Sequence, residues 1–478
     1  MRNITFKYLL ILASLYFFSF ANCQQITDSL YKYMEIAAKN NPSVLQKYYE
    51  YQAALKKIPQ VSSLPDPDLS MGVFLQPMEL VNGNQVAEIR LMQMFPWFGV
   101  LSNAKDEMSL MAKAKYEIFR DAKLQVIYDV QRTWYDLYEV QKDLCISEMD
   151  IEILKTLERI SLVIYKSAPT GSTNSSFSGS NMSNNNYQNG SSGLSGMQAM
   201  SGNSVSTQNQ SSPTMQNVSM GLSTKGSGLA DLYRIQMDIG ELDNKISLLK
   251  NQKHTIIVRF NSYLNRSVKT PVFIPDTLKS EHLEISLSAL SDSMLNNNSM
   301  LDMLQFEKQS LDARKKMVSR MGYPMVGLGV NYSIINKNDM STSSMNGKDM
   351  VMPMVTVTLP IYRKKYKAMQ TETELMSSAN EQNYQAASNS LKTEYYEAFQ
   401  LYEDAGRRIK LYENQSQLAK KSLDIMIKSF SASGSGLTDI LQIRQQTLDY
   451  ELKQIKAIVD YNTAIAWLKR LTGIIPIQ

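Results

Sequence analysis

An internal duplication constrains this chain more than any other feature. Gly226-Ser-Gly-Leu-Ala-Asp231 recurs as Gly434-Ser-Gly-Leu-Thr-Asp439, 208 residues on. The match continues without a gap, with Ile235 on Ile443, Lys245 on Lys453 and Thr255 on Thr463. Trp134-Tyr135-Asp136 matches Tyr395-Tyr396-Glu397 at a spacing of 261. The two spacings differ by 53 residues, so the first copy has gained about that many between 136 and 226, where an uncharged tract lies. A first repeat over 24–282, carrying an insert at 168–224, and a second over 283–478 must therefore fold alike.

Each copy changes period in the same order. The first opens with helical spacing at Leu30, Met34 and Ala37, is broken at Asn41-Pro42-Ser43, and resumes as a helix to about Val61. The second repeats this with Leu287, Leu290 and Met294, then Asn297-Asn298-Ser299. Alternation follows, predicting strands at about 69–75 and 86–94 around a turn at Asn82-Gly83-Asn84, and at about 325–334 and 350–359. Each hairpin ends in a corner, Phe95-Pro96-Trp97-Phe98 and Leu359-Pro360-Ile361-Tyr362, with aromatic rings suited to a lipid–water boundary. Long helices are predicted over about 104–167 and 365–431; Val130, Leu137, Leu144 and Ile151 recur every seven residues, as in a coiled coil. Each then turns at the glycine motif and returns as a shorter helix.

Half-polar strands of this length suit a transmembrane barrel, but four cannot close one, and lipid does not tolerate an open sheet edge. Several chains must pool their strands, and three would give twelve. The expected fold class is thus mixed α plus transmembrane β, in a duplicated protomer.

Residues 1–23 read as an export signal, with Arg2 and Lys7 before the short apolar run Leu9–Ala21. Cys23 is either a lipidated N-terminus or lies beside an ordinary cleavage site; Asn22 before it departs from a lipobox. With 50 basic residues spread among 45 acidic ones, nothing suggests nucleic acid. Two histidines and two cysteines make a zinc site or a disulfide framework unexpected, and no nucleophile elbow or phosphate loop points to an enzyme. No cofactor is expected.

The chain resembles the TolC-type outer-membrane efflux proteins. The resemblance rests on Leu64-Pro-Asp-Pro-Asp68 with Leu69–Val73, on Met92-Gln-Met-Phe-Pro-Trp-Phe-Gly99, and on the two glycine motifs continuing to Gln236 and Leu441. It implies a homotrimer with a twelve-stranded β-barrel in the outer membrane of a Gram-negative bacterium and a long α-helical coiled-coil tunnel across the periplasm. Such a trimer passively exports what an inner-membrane resistance–nodulation–division pump delivers through a periplasmic adaptor. The Met-Phe-Pro-Trp-Phe-Gly form is most similar to the heavy-metal efflux branch. A soluble periplasmic coiled-coil scaffold is the alternative from another class.

The resemblance also assigns candidate sites. Gly226, Gly228, Asp231, Gly434 and Gly436 would form the tip turns that dock an adaptor. Asp439 would line a closed tunnel entrance, where a threefold carboxylate ring attracts cations. Gln442 stands where the family has a second aspartate, and Ser435 where it has a basic residue. Phe95, Pro96, Trp97, Phe98, Leu359, Pro360 and Tyr362 would meet the membrane interface. Strand parity turns Met350, Met352 and Met354 away from Val355 and Val357, toward a lumen, where thioethers would suit soft metals; the bland reading is that methionine fills space. The insert holds five methionines, a passive or docking-modulating loop being the simpler reading.

Overall fold

A computed structural model describes residues 28–167, 228–281, 294–433 and 436–473. The export signal with Cys23, the insert, Gly226, Gly434 and Ser435 lie outside them.

Helices α1 (Asp28–Asn40) and α2 (Pro42–Ser62) lead into strands β1 (Asp68–Leu80) and β2 (Gly83–Phe95). A 68-residue helix α3 (Val100–Ser167) and its return α4 (Gly228–Tyr263) complete the first copy. In the second copy α5 (Ser299–Met321), β3 (Met325–Asn336), β4 (Met350–Thr358), α6 (Arg363–Ser433) and α7 (Leu437–Leu471) follow in the same order. β1 runs on to Leu80, beyond the expected 75, and the reversal is at Val81-Asn82, with Gly83 already the first residue of β2.

The duplication is repeated atom for atom where each copy breaks its first helix pair. Asn41 Oδ1 accepts from the Ser43 and Val44 backbone N–H groups, while its Nδ2 donates to the Tyr263 carbonyl at the end of α4, 2.9 Å away. Asn298 Oδ1 accepts from Met300 and Leu301, and its Nδ2 donates to the Leu471 carbonyl at the end of α7, 3.1 Å away. One side chain thus caps one helix N-terminus and ties it to the C-terminal end of another.

The two long helices organise the packing. α3 meets α1, α2, α4, α5 and α7, and α6 meets α5 and α7. At 1.5 Å per residue each long helix spans roughly 100 Å. The seven-residue stripe of α3 is buried throughout: Val130 and Leu137 fully, Leu144 and Ile151 nearly so. Near the sheet-distal end Leu144, Ile151 and Leu154 pack with Ile235 and Leu242 of α4, Leu423 of α6 and Ile440 of α7. Midway, Trp134 and Tyr135 join Met34, Phe260 and Ala466 in a second cluster. Tyr395, which matches Trp134 in the duplication, is buried with Leu301 and Leu468, whereas Tyr396 is exposed.

Candidate functional site

The sheet has order β1-β2-β3-β4, antiparallel throughout, with β1 and β4 as free edges in the single chain. Cross-strand partners point to the same face, so the register sorts every side chain. Leu69, Met71 and Val73 of β1 stand opposite Leu91, Ile89 and Ala87 of β2. These align with Val330, Tyr332 and Ile334 of β3, and onward with Pro353 and Val351 of β4; Leu328 and Val355 continue the same face. Between the corners and the irregularities beyond Val73 and Ala87 this face is apolar except for Gln93, and it is bare: Val73 is 76 % exposed and Val355 70 %; Asn336, paired with Asn84, lies on the same face of β3 at the turn end. An uncovered apolar sheet face is a liability in water and the requirement for a strand in lipid.

The opposite face carries Ser70, Glu88, Arg90, Asn331, Ser333 and Thr356, together with Met92, Met94, Met350, Met352 and Met354. Met350, Met352 and Met354 thus share the polar face.

Both corners stand at one end of the sheet. Phe98 is 85 % exposed, and Leu359 and Tyr362 are also bare. Trp97 instead stacks on Tyr323, centroids 5.3 Å apart and planes 14° apart, closing the gap between the end of β2 and the start of β3. Phe95 ends β2 exposed, and Pro96 and Pro360 are half-buried.

At the other end of the long helices, Gly436 precedes α7 at φ +90°, a left-handed conformation that costs glycine little. Asp439 lies in the first turn of α7, where a carboxylate favours the helix dipole; Asp231 holds the same place in α4, which Gly228 opens. Asp439 and Gln442 share an exposed face, while Leu437, Ile440 and Leu441 face inward.

Sequence reasoning missed the polar link five residues beyond Asp439. Arg444 of α7 is buried; its Nη1 donates to Asp150 of α3 at 2.6 Å and its Nη2 to Asp238 of α4 at 3.1 Å. Burial raises the Asp150 carboxyl, and the guanidinium offsets this only in part. One side chain therefore ties three helices together. The available signal was an arginine at an inward position among Ile440, Leu441 and Thr447; the matching residue of the first copy, Gln236, is exposed and donates to Glu158. Farther along α3, burial lifts Glu139 to about 7, opposed by Lys456 and reinforced by Asp143, Asp460 and Asp136.

Among the described residues no three His, Cys, Asp or Glu side chains converge as a metal site, and no helix is long and apolar enough to cross a membrane.

No protein-family model matches this chain, nor does any curated protein sequence. Solved structures do match in fold. The Campylobacter jejuni CmeC outer membrane channel is 14 % identical, with 93 % of this chain and 86 % of that one covered and a TM-score of 0.69. The outer membrane protein VceC from Vibrio cholerae is 11 % identical, with 93 % and 96 % covered and a TM-score of 0.67. The open state of the Neisseria gonorrhoeae MtrE outer membrane channel is 13 % identical, with 93 % and 89 % covered and a TM-score of 0.66. At these identities the likeness is one of fold.

Proposed function

We propose that this chain, which has the fold of those outer-membrane channels, is itself the outer-membrane duct of a tripartite efflux system. The observation that carries this reading is the sheet: one apolar, uncovered face, one polar face and two unpaired edges. In lipid both edges must pair. Three copies joined edge to edge give a closed twelve-stranded barrel with the apolar face outward and the polar face lining a lumen. Strands of 9–13 residues suit the ~9–11 needed to span a bilayer at a tilt. The long helical hairpins then extend about 100 Å from the barrel into the periplasm.

The duct carries out no chemistry. An inner-membrane resistance–nodulation–division pump supplies energy, and a periplasmic adaptor docks at the tips formed around Gly228, Asp231 and Gly436. Asp439, exposed in the single chain, comes from three copies to line the constricted entrance, with Gln442 one turn behind it. The cargo includes heavy-metal cations, a reading supported by the resemblance of Met92–Gly99 to the metal-efflux branch. The exposed aromatic corners set the depth of the barrel in the membrane, and residues 1–23 direct export.

The test is electrical. Purified in detergent and added to a planar lipid bilayer, the protein forms ion-conducting pores and runs as a heat-sensitive trimer in gels. A protein that stays monomeric and soluble without detergent, and conducts nothing, is a scaffold. Deleting the gene and scoring tolerance of copper, silver, divalent metals, dyes and detergents then assigns the cargo.

A further inference from the structure

We propose that the polar face of the sheet carries a thioether site for soft monovalent metal ions, Cu(I) or Ag(I), built from Met92 and Met94 of β2 and Met350, Met352 and Met354 of β4. Strand parity within β4 put three methionines on one face; the fold adds two from a strand more than 250 residues earlier in the chain. The rows run across the sheet. Met92 stands opposite Gly329, which stands opposite Met354; Met94 stands opposite Gly327, which stands opposite Thr356. The next rows are Arg90, Asn331 and Met352, then Glu88, Ser333 and Met350.

The glycines make the arrangement possible. The strand between the two methionine-bearing strands has no side chain at the rows that hold Met92, Met94 and Met354. A Cβ at Gly327 would stand 2.6 Å from Met94 Sδ and 3.2 Å from Met92 Sδ, and a Cβ at Gly329 would meet the Leu91 carbonyl oxygen at 2.7 Å and Met92 Sδ at 3.0 Å. The two sulfurs thus lie over one glycine, no farther apart than the sum of the first two distances. A side chain at Gly327 would displace both, and one at Gly329 would crowd Met92 and the Leu91 backbone.

Asn331 supplies a second observation. It is only 6 % exposed, yet its Oδ1 has no hydrogen-bond partner, and it occupies the row beside Met92 and Met354. A buried amide oxygen left unpaired costs about 1–3 kcal/mol. A bound cation would give it a partner. Thioethers are neutral, soft donors that prefer Cu(I) and Ag(I) and compete poorly for Mg²⁺ or Ca²⁺, which take oxygen ligands. Several weak neutral sites in sequence suit passage rather than storage, because conduction needs an ion to leave as readily as it enters.

The site depends on the duct reading only for its place in a lumen, where three copies would repeat it around the axis. The experiment separates the two. The full-length protein in detergent, its free thiols blocked with N-ethylmaleimide, is titrated with Ag(I) against a competing chelator, and its conductance is recorded in bilayers. Replacing all five methionines by leucine conserves volume and keeps the sheet packed. The proposal expects the replacement to weaken the tightest Ag(I) binding by roughly tenfold or more, with the silver–sulfur signal in X-ray absorption falling accordingly. Met340→Leu and Met345→Leu, in the loop between β3 and β4, should leave binding as it was. Equal Ag(I) binding by the wild type and the five-fold leucine variant would overturn the proposal whether or not pores form. Should that variant fail to assemble, Met92→Leu with Met354→Leu gives the same reading on a smaller scale. Absence of conductance from the wild type counts against the duct alone.

Discussion

At the scale of single residues, the polar side chains that join helices contribute more than the exposed charges. Arg444 is the extreme case, because removing one partner of a buried ion pair leaves the others uncompensated. Arg444→Ala should destabilise the fold by about 3–5 kcal/mol, read by denaturant unfolding, whereas replacing Arg444 together with Asp150 by apolar residues should recover most of that loss. Asn41→Ala and Asn298→Ala should each cost about 1–2 kcal/mol, by equal amounts if the copies carry equal loads. Glu139 gives a pH dependence whose sign follows from its raised carboxyl. An acid with a folded pKa of about 7 against an ordinary 4.5 binds a proton more tightly when folded. Its destabilising effect is absent at pH below about 4.5, grows as pH rises, and is complete above about 7. Thermal stability measured from pH 5 to 8 should therefore fall in the wild type and fall less in Glu139→Gln.

At the scale of elements, the sheet and the long helices solve different problems with different periods. The strands alternate to give one apolar and one polar face, as the proposed barrel wall requires; α3 buries a seven-residue stripe because it packs along α4 and α7. The two faces predict opposite responses to charge. Leu328→Arg, on the apolar face, should cost about 2–4 kcal/mol of membrane insertion and reduce the amount of assembled protein in the outer membrane. Thr356→Arg, on the polar face of β4, should assemble normally. Equal assembly of the two variants would mean that the face bearing Leu328 does not meet lipid.

At the scale of the whole molecule, duplication places two hairpins side by side in one sheet, β2 pairing with β3 across the copies. On the duct reading proposed above, symmetry then needs only repetition to close the barrel. Removing residues 171–224 should leave pore formation unchanged while testing whether the insert influences pump docking, read as metal or drug tolerance of a complemented deletion strain. Much of this architecture was legible in the sequence. Helix, strand and corner positions follow from local periodicity, which each segment carries within itself. Asn41 and Asn298 mark their helix starts because a cap acts over three residues. Which residues meet across the fold was not legible. That Arg444 reaches Asp150 and Asp238, that Asn41 holds the end of α4, and that Met92 and Met94 share a face with the methionines of β4 depend on registers between distant strands and helices. A one-residue slip would send each of those strand side chains to the other face. Periodicity in the chain determined what each element is; only tertiary packing, which selects one register among many locally equivalent ones, decided which side chains share a site.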